Sequence, residues 1–76
     1  MEKLLCDMLE NQTAKVVKVL EQNDQVLCRL QEYGLVDGEI VRVIKIAPQS
    51  KVYLISIRGF ALCLDKETCK KVVVSE

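Results

Sequence analysis

The sequence predicts a mainly β domain: a small closed or nearly closed barrel of five short strands, with one short α-helix and a C-terminal helical turn. Three observations carry this. Five short runs rich in Val, Ile and Leu are separated by tight polar connections, and a single stretch carries helical spacing. The chain has 76 residues, enough for one domain near the lower limit for a self-sufficient core. Closing the sheet is the economical way for so small a domain to remove exposed strand edges.

The elements follow in order. Residues 1–12 read as a lead-in arm, in which 4–9 form either a helical turn or an extended stretch that covers one end of the core, and Asn11-Gln12-Thr13 as a turn. Ala14 to Leu20, rich in valine, is the first strand. Asn23 or Asp24 is a suitable N-cap, and Val26, Leu27, Leu30 and Tyr33 then recur on one helical face. Gly34 sits where a left-handed residue ends the helix, with Leu35 placed to touch Leu30 in a Schellman motif. Asp37-Gly38 turns the chain into a long strand from Glu39 to Ile46, and Ala47 to Lys51 loops around Pro48. Val52 to Arg58 is a further strand, Gly59 a bend or bulge, and Phe60 to Leu64 another run. Asp65 caps a single helical turn, and Val72-Val73-Val74 closes the domain.

Alternation along these strands leaves both faces apolar. The sets uninterrupted by polar residues are the better core candidates: Val41, Val43, Tyr53, Ile55, Ile57, Phe60, Leu62 and Leu64. The leftover set holds Ile40, Ile44, Ile46, Val52, Leu54 and Cys63. Either the arm and the helix pack over it, or it is a surface for a partner or a second copy, since contiguous exposed apolar patches mark interfaces.

Composition excludes several classes of function. Half the residues are hydrophobic, yet only Tyr33, Tyr53 and Phe60 are aromatic, so the core is aliphatic. Eleven basic and eleven acidic residues cancel. Lys15, Lys18, Lys66, Lys70 and Lys71 make a modest basic patch, but interleaved acids and the lack of an aromatic stacking platform argue against nucleic acid. No apolar run approaches the roughly 20 residues that cross a bilayer, and the N-terminus lacks a signal-peptide core, so a cytoplasmic location is expected. In that reducing compartment Cys6, Cys28, Cys63 and Cys69 stay free thiols. Histidine is absent, no two cysteines have C-x₂-C spacing, and no phosphate loop, nucleophile elbow or paired-acid motif occurs. No catalytic, cofactor or metal residue is therefore assigned. Glu2, Asp7, Glu10, Asp65 and Glu67 offer a divalent cation only weak binding, scattered surface acids being more often simply solvated.

The run Arg29-Leu30, Gly34-Leu35-Val36-Asp37-Gly38, Val41-Arg42-Val43, Ala47-Pro48, Ile55-Ser56-Ile57-Arg58-Gly59-Phe60-Ala61-Leu62-Cys63-Leu64 and Val72-Val73-Val74 resembles the FeoA family. Each element is short and made of common residues; their order and spacing from about Thr13 to Val74 carry the likeness. Asp37 stands where the family usually has proline, Tyr33 where leucine is common, and Gln49-Ser50-Lys51 lacks the glycine often found at that loop tip. The resemblance implies an SH3-like barrel in a small cytoplasmic protein of bacterial ferrous iron transport, binding the GTP-binding cytoplasmic part of the permease FeoB. Loops carry partner specificity, so these departures bear on the partner-facing details and not on the fold.

Under that reading the contact is either the face bearing Ile40, Ile44 and Leu54 or the helix–turn segment with Tyr33, Leu35, Val36 and Asp37. An alternative reading is a metal- or redox-sensing module built on the four cysteines and related to the C-terminal barrel of iron-dependent repressors, a domain in which the same fold is expected.

Overall fold

Six β-strands and two α-helices are described by a computed structural model covering Met1 to Glu76. The strands are β1 (Glu2–Leu4), β2 (Thr13–Val19), β3 (Ile40–Ile46), β4 (Val52–Ile57), β5 (Phe60–Asp65) and β6 (Val72–Ser75). The helices are α1 (Asp24–Glu32) and α2 (Lys66–Cys69). All pairings are antiparallel in the order β1-β6-β2-β3-β4-β5, so the sheet does not close and β1 and β5 are its edges. The five expected strands are present, and the expected arm supplies a sixth by pairing Glu2, Lys3 and Leu4 with Ser75, Val74 and Val73.

The core takes Val41, Val43, Tyr53, Ile55, Ile57 and Leu64 as the alternation requires, joined by Ala14, Val16, Val72 and Val74. Past β1 a 3₁₀ turn (Leu5–Asp7) carries Leu5 and then Met8 fully into this core. The Tyr53 hydroxyl donates to the Cys6 carbonyl oxygen at 2.8 Å, satisfying a buried phenol and tying the arm to β4. No buried side-chain nitrogen or oxygen lacks a partner.

Two expectations about burial are corrected, and one open alternative is decided. Phe60 is 70% exposed, because it is the first residue of an edge strand and no strand lies beyond it. Ile46 joins the core instead of the second face. A bulge between Val43 and Lys45 inserts one residue, so Ile46 falls opposite Tyr53 and its side chain turns inward. The arm and α1 pack toward the core and do not cover the second face, where Ile40, Ile44, Val52 and Cys63 stay exposed and Leu54 is half-buried.

Helix α1 begins and ends as its sequence dictates. Asn23 Oδ1 accepts from the Gln25 and Val26 amides at 3.0 and 3.2 Å. At the other end the Gly34 amide donates to the Gln31 carbonyl (3.0 Å) and the Leu35 amide to the Leu30 carbonyl (3.1 Å), the two bonds of a Schellman motif. Leu30 and Leu35 are buried, Leu27 is half-buried, and Val26 and Tyr33 remain exposed. The chain then turns through Val36–Glu39 and enters β3; the Gly38 amide and Glu39 carbonyl bond to Val16 and fix the turn against β2. Between β4 and β5 the loop is only Arg58-Gly59, both with positive φ, which is the type I′ geometry that matches strand twist. The expected bend at Gly59 is thus half of a two-residue hairpin loop. Asp65 caps α2 as expected, accepting from the Thr68 amide at 2.9 Å.

Candidate functional site

Two of the chain's three aromatic side chains, Tyr33 and Phe60, are exposed and line one groove of about 380 Å³. Glu32 and Tyr33, at the C-terminal end of α1, form one wall. Ile57, Arg58, Phe60, Ala61 and Leu62 of the β4–β5 hairpin form the other. The Schellman motif sets the position of Tyr33, and the tight hairpin that of Phe60.

Arg58 joins the two walls. A Cβ on Gly34 would lie 3.0 Å from Arg58 Cδ, so the bare glycine is what lets the arginine stem cross the helix end. Its Nε then donates to Glu39 Oε1 at 3.1 Å. Both partners are part-exposed, which limits such a pair to roughly 0–1 kcal/mol, and its effect is to hold the guanidinium along the groove. Glu32, on the opposite rim, has no ion pair. The groove is an apolar floor with an anionic and a cationic rim, suited to receiving apolar side chains of a protein partner.

The residues expected to make contacts do not form one surface. Tyr33 lies in the groove, 45% exposed. Leu35 has no exposed surface, and as the residue that closes the helix its side chain serves the core. Val36 is half-buried and Asp37 exposed, at the turn toward β3. Ile40 lies on the outer sheet face beside Thr13, Lys15 and Ser75, and Arg42 separates it from Ile44 and Leu54. Ile44 occupies the bulge, and Leu54 sits between Lys45 and Cys63 in the sheet. Alternation with Leu62 and Leu64 points Phe60 to the core. The signal that points outward is its place directly after Arg58-Gly59, at a hairpin tip.

The four cysteines are unpaired. Burial, with smaller contributions from Cys6 and Asp65, pushes the Cys69 thiol up to about 12. Burial also raises Cys6, with Asp7 adding to it. Thiols held in the protonated form are poor nucleophiles and poor ligands. No three His, Cys, Asp or Glu side chains converge where they could hold a metal ion. Of the expected basic patch, Lys71 pairs with Glu21 and Lys70 with Glu67. No helix is long and apolar enough to cross a membrane.

This architecture defines the class: a small SH3-like β-domain with an aromatic-walled groove. The chain belongs to the FeoA family, whose FeoA domain model matches residues 3–76. FeoA of Stenotrophomonas maltophilia, solved in complex with zinc and described as a prokaryotic SH3 domain protein, is 30% identical with a TM-score of 0.83, over 96% of this chain and 89% of that one. The FeoA protein of Chlorobium tepidum superposes with a TM-score of 0.88 at 23% identity, over 96% of this chain and 69% of that one. A manganese-dependent transcriptional repressor in complex with manganese reaches a TM-score of 0.89 at 15% identity, where 99% of this chain covers 36% of the repressor. That last likeness is one of fold. No curated protein matches the chain.

Proposed function

We propose that this chain is a non-enzymatic accessory protein of bacterial ferrous iron uptake that works in the cytoplasm by binding the GTP-binding cytoplasmic part of the FeoB permease. The groove between α1 and the β4–β5 hairpin is its contact surface. Membership of the FeoA family supports the pathway. The observation that supports the contact is the exposure of Tyr33 and Phe60 at one groove in a chain with a single other aromatic. Exposed aromatics lose little side-chain entropy on binding and bury large areas, which is why they anchor interfaces. Any metal contact on this chain is weak and is made by scattered carboxylates.

Titration against the permease's cytoplasmic domain, with and without guanine nucleotide, tests the reading. Association is expected, and Phe60→Glu or Tyr33→Glu weakens it at least about tenfold by setting an unpaired charge in an apolar contact. Ile40→Glu, on the outer sheet face, leaves it within about twofold. Absence of association in every nucleotide state defeats the pathway reading. Loss at Ile40 with none at Phe60 moves the contact to the outer face.

A further inference from the structure

We propose that β5 is a self-association edge, along which two copies of this chain pair antiparallel about a two-fold axis at Cys63. The two-residue loop makes Ile57 and Phe60 a hydrogen-bonded pair, so Leu62 and Leu64 also bond inward to β4. The amides and carbonyls of Ala61 and Cys63 therefore point away from the sheet, and β4 is the only strand that β5 pairs with. A row of unpaired backbone groups is a template for another strand.

The two edges differ in how they resist such pairing. β1 is three residues long and carries Glu2 and Lys3, with Lys3 paired to Glu76. β5 is six residues long, pairs with β4 without a bulge, and has no charge or proline from Phe60 to Leu64. Phe60, Ala61 and Cys63 are all exposed along it. From Phe60 to Leu64 the strand thus lacks the charge, proline and bulge that natural sheets use against association, and only the end of α1, across the groove, stands near it.

Charge favours the antiparallel over the parallel sense for a second copy. Arg58 precedes β5 and Asp65 ends it. Antiparallel pairing leaves Arg58 bonded to Glu39 and sets no charged side chain of β5 against one of its own sign. Centred on Cys63, it sets Asp65 opposite Ala61 of the second copy and Leu62 opposite Leu64. Parallel pairing in register would set Asp65 against Asp65, which is unfavourable. Residue i meets residue j and j meets i, the self-complementarity that a two-fold interface requires. One strand pair buries less than the roughly 1,200 Å² of a standard interface, so the association is weak, in the micromolar-to-millimolar range.

Sedimentation across that concentration range, combined with residue-resolved amide exchange, is the test. It needs no permease, so its failure is distinct from failure of the permease reading, although Phe60, Ala61 and Leu62 line the groove proposed for that partner and the two would compete for it. The sedimenting mass is expected to double as concentration rises. The Ala61 and Cys63 amides slow in step, while Leu62 and Leu64, already bonded, are unchanged. Cys63→Glu places two carboxylates opposite each other on the axis and raises the dissociation constant about fivefold or more. Retained slow exchange at Leu62 and Leu64 shows that this variant is folded. Ala61→Pro removes an outward donor without breaking a bond to β4 and has the same effect. A single-chain mass at every concentration overturns the proposal. So does a dimer in which the Ala61 and Cys63 amides exchange at the monomer rate, or one indifferent to Cys63→Glu.

Discussion

Gly34 ends α1 with φ +111°, and its missing Cβ leaves room for Arg58 Cδ at 3.0 Å and Ile57 Cγ1 at 3.3 Å. Backbone conformation and close approach thus demand glycine independently. Gly34→Ala is expected to cost about 2 kcal/mol, read as a lower urea midpoint at unchanged slope, and to displace Arg58 from Glu39. Asp37 shows the opposite case. Val36–Glu39 is closed by a Glu39 amide to Val36 carbonyl bond at 3.1 Å, with φ +96° at Gly38 and no positive φ at Asp37, which makes it a type II turn. That turn favours proline at its second position, and the Asp37 amide makes no hydrogen bond. Asp37→Pro is expected to stabilise by about 0.5 kcal/mol through the unfolded chain, visible as a thermal midpoint a few degrees higher. A midpoint unchanged or lower removes the type II assignment. Both residues were legible as turn formers. Arg58 as Gly34's neighbour was not, because the two are brought together only by the hairpin.

At the scale of elements, the N-terminal arm shows the largest difference between expectation and structure. Residues 2–4 are too few and too polar to signal a strand, yet β6 offers them a register. Leu5 and Met8 then occupy the core beside Cys69 and Val74. A side chain with no exposed surface in so small a domain carries a large share of its stability. Leu5→Ala is expected to cost about 2–5 kcal/mol, enough to leave the chain partly unfolded by circular dichroism at physiological temperature. Solvent-exposed Leu9→Ala is the control and changes little. In β3, the seven residues Ile40–Ile46 fit a single alternating pattern, and the bulge that breaks it leaves no mark among such similar aliphatic side chains. Beyond the bulge, the Ile46 amide finds its acceptor in the Glu10 carboxylate at 2.8 Å, a contact across 36 residues that strand pattern could not foretell.

At the scale of the molecule, two depressed carboxylates link acid to stability. Glu21 accepts from the Asn23 amide first and Lys71 second, which hold its pKa below 4.5. Asp65, bonded to Thr68, lies below 3.8. Both pKa values are lower folded than unfolded, so their contribution is complete above the unfolded values and fades as pH falls through the folded ones. The thermal midpoint is expected to hold above the ordinary carboxylate range and to fall as pH drops through and below it. Glu21→Gln and Asp65→Asn each flatten that fall, and added salt weakens the Lys71 contribution. Glu21 and Lys71 join the loop before α1 to the turn before β6, so acid loosens the chain where distant segments meet.

The sequence by itself determined the local grammar: five apolar runs, the capped α1 with its Gly34 stop, the Asp65-capped turn, and no histidine or catalytic constellation. Those features depend on φ/ψ preference, capping and composition, which act over a few residues. Tertiary structure alone decided that the arm is a strand, that Ile46 faces inward and Phe60 outward, and that Tyr33 and Phe60 share a groove. These outcomes depend on which strand lies beside which and on a one-residue slip in register, and a chain of interchangeable Val, Ile and Leu encodes neither locally.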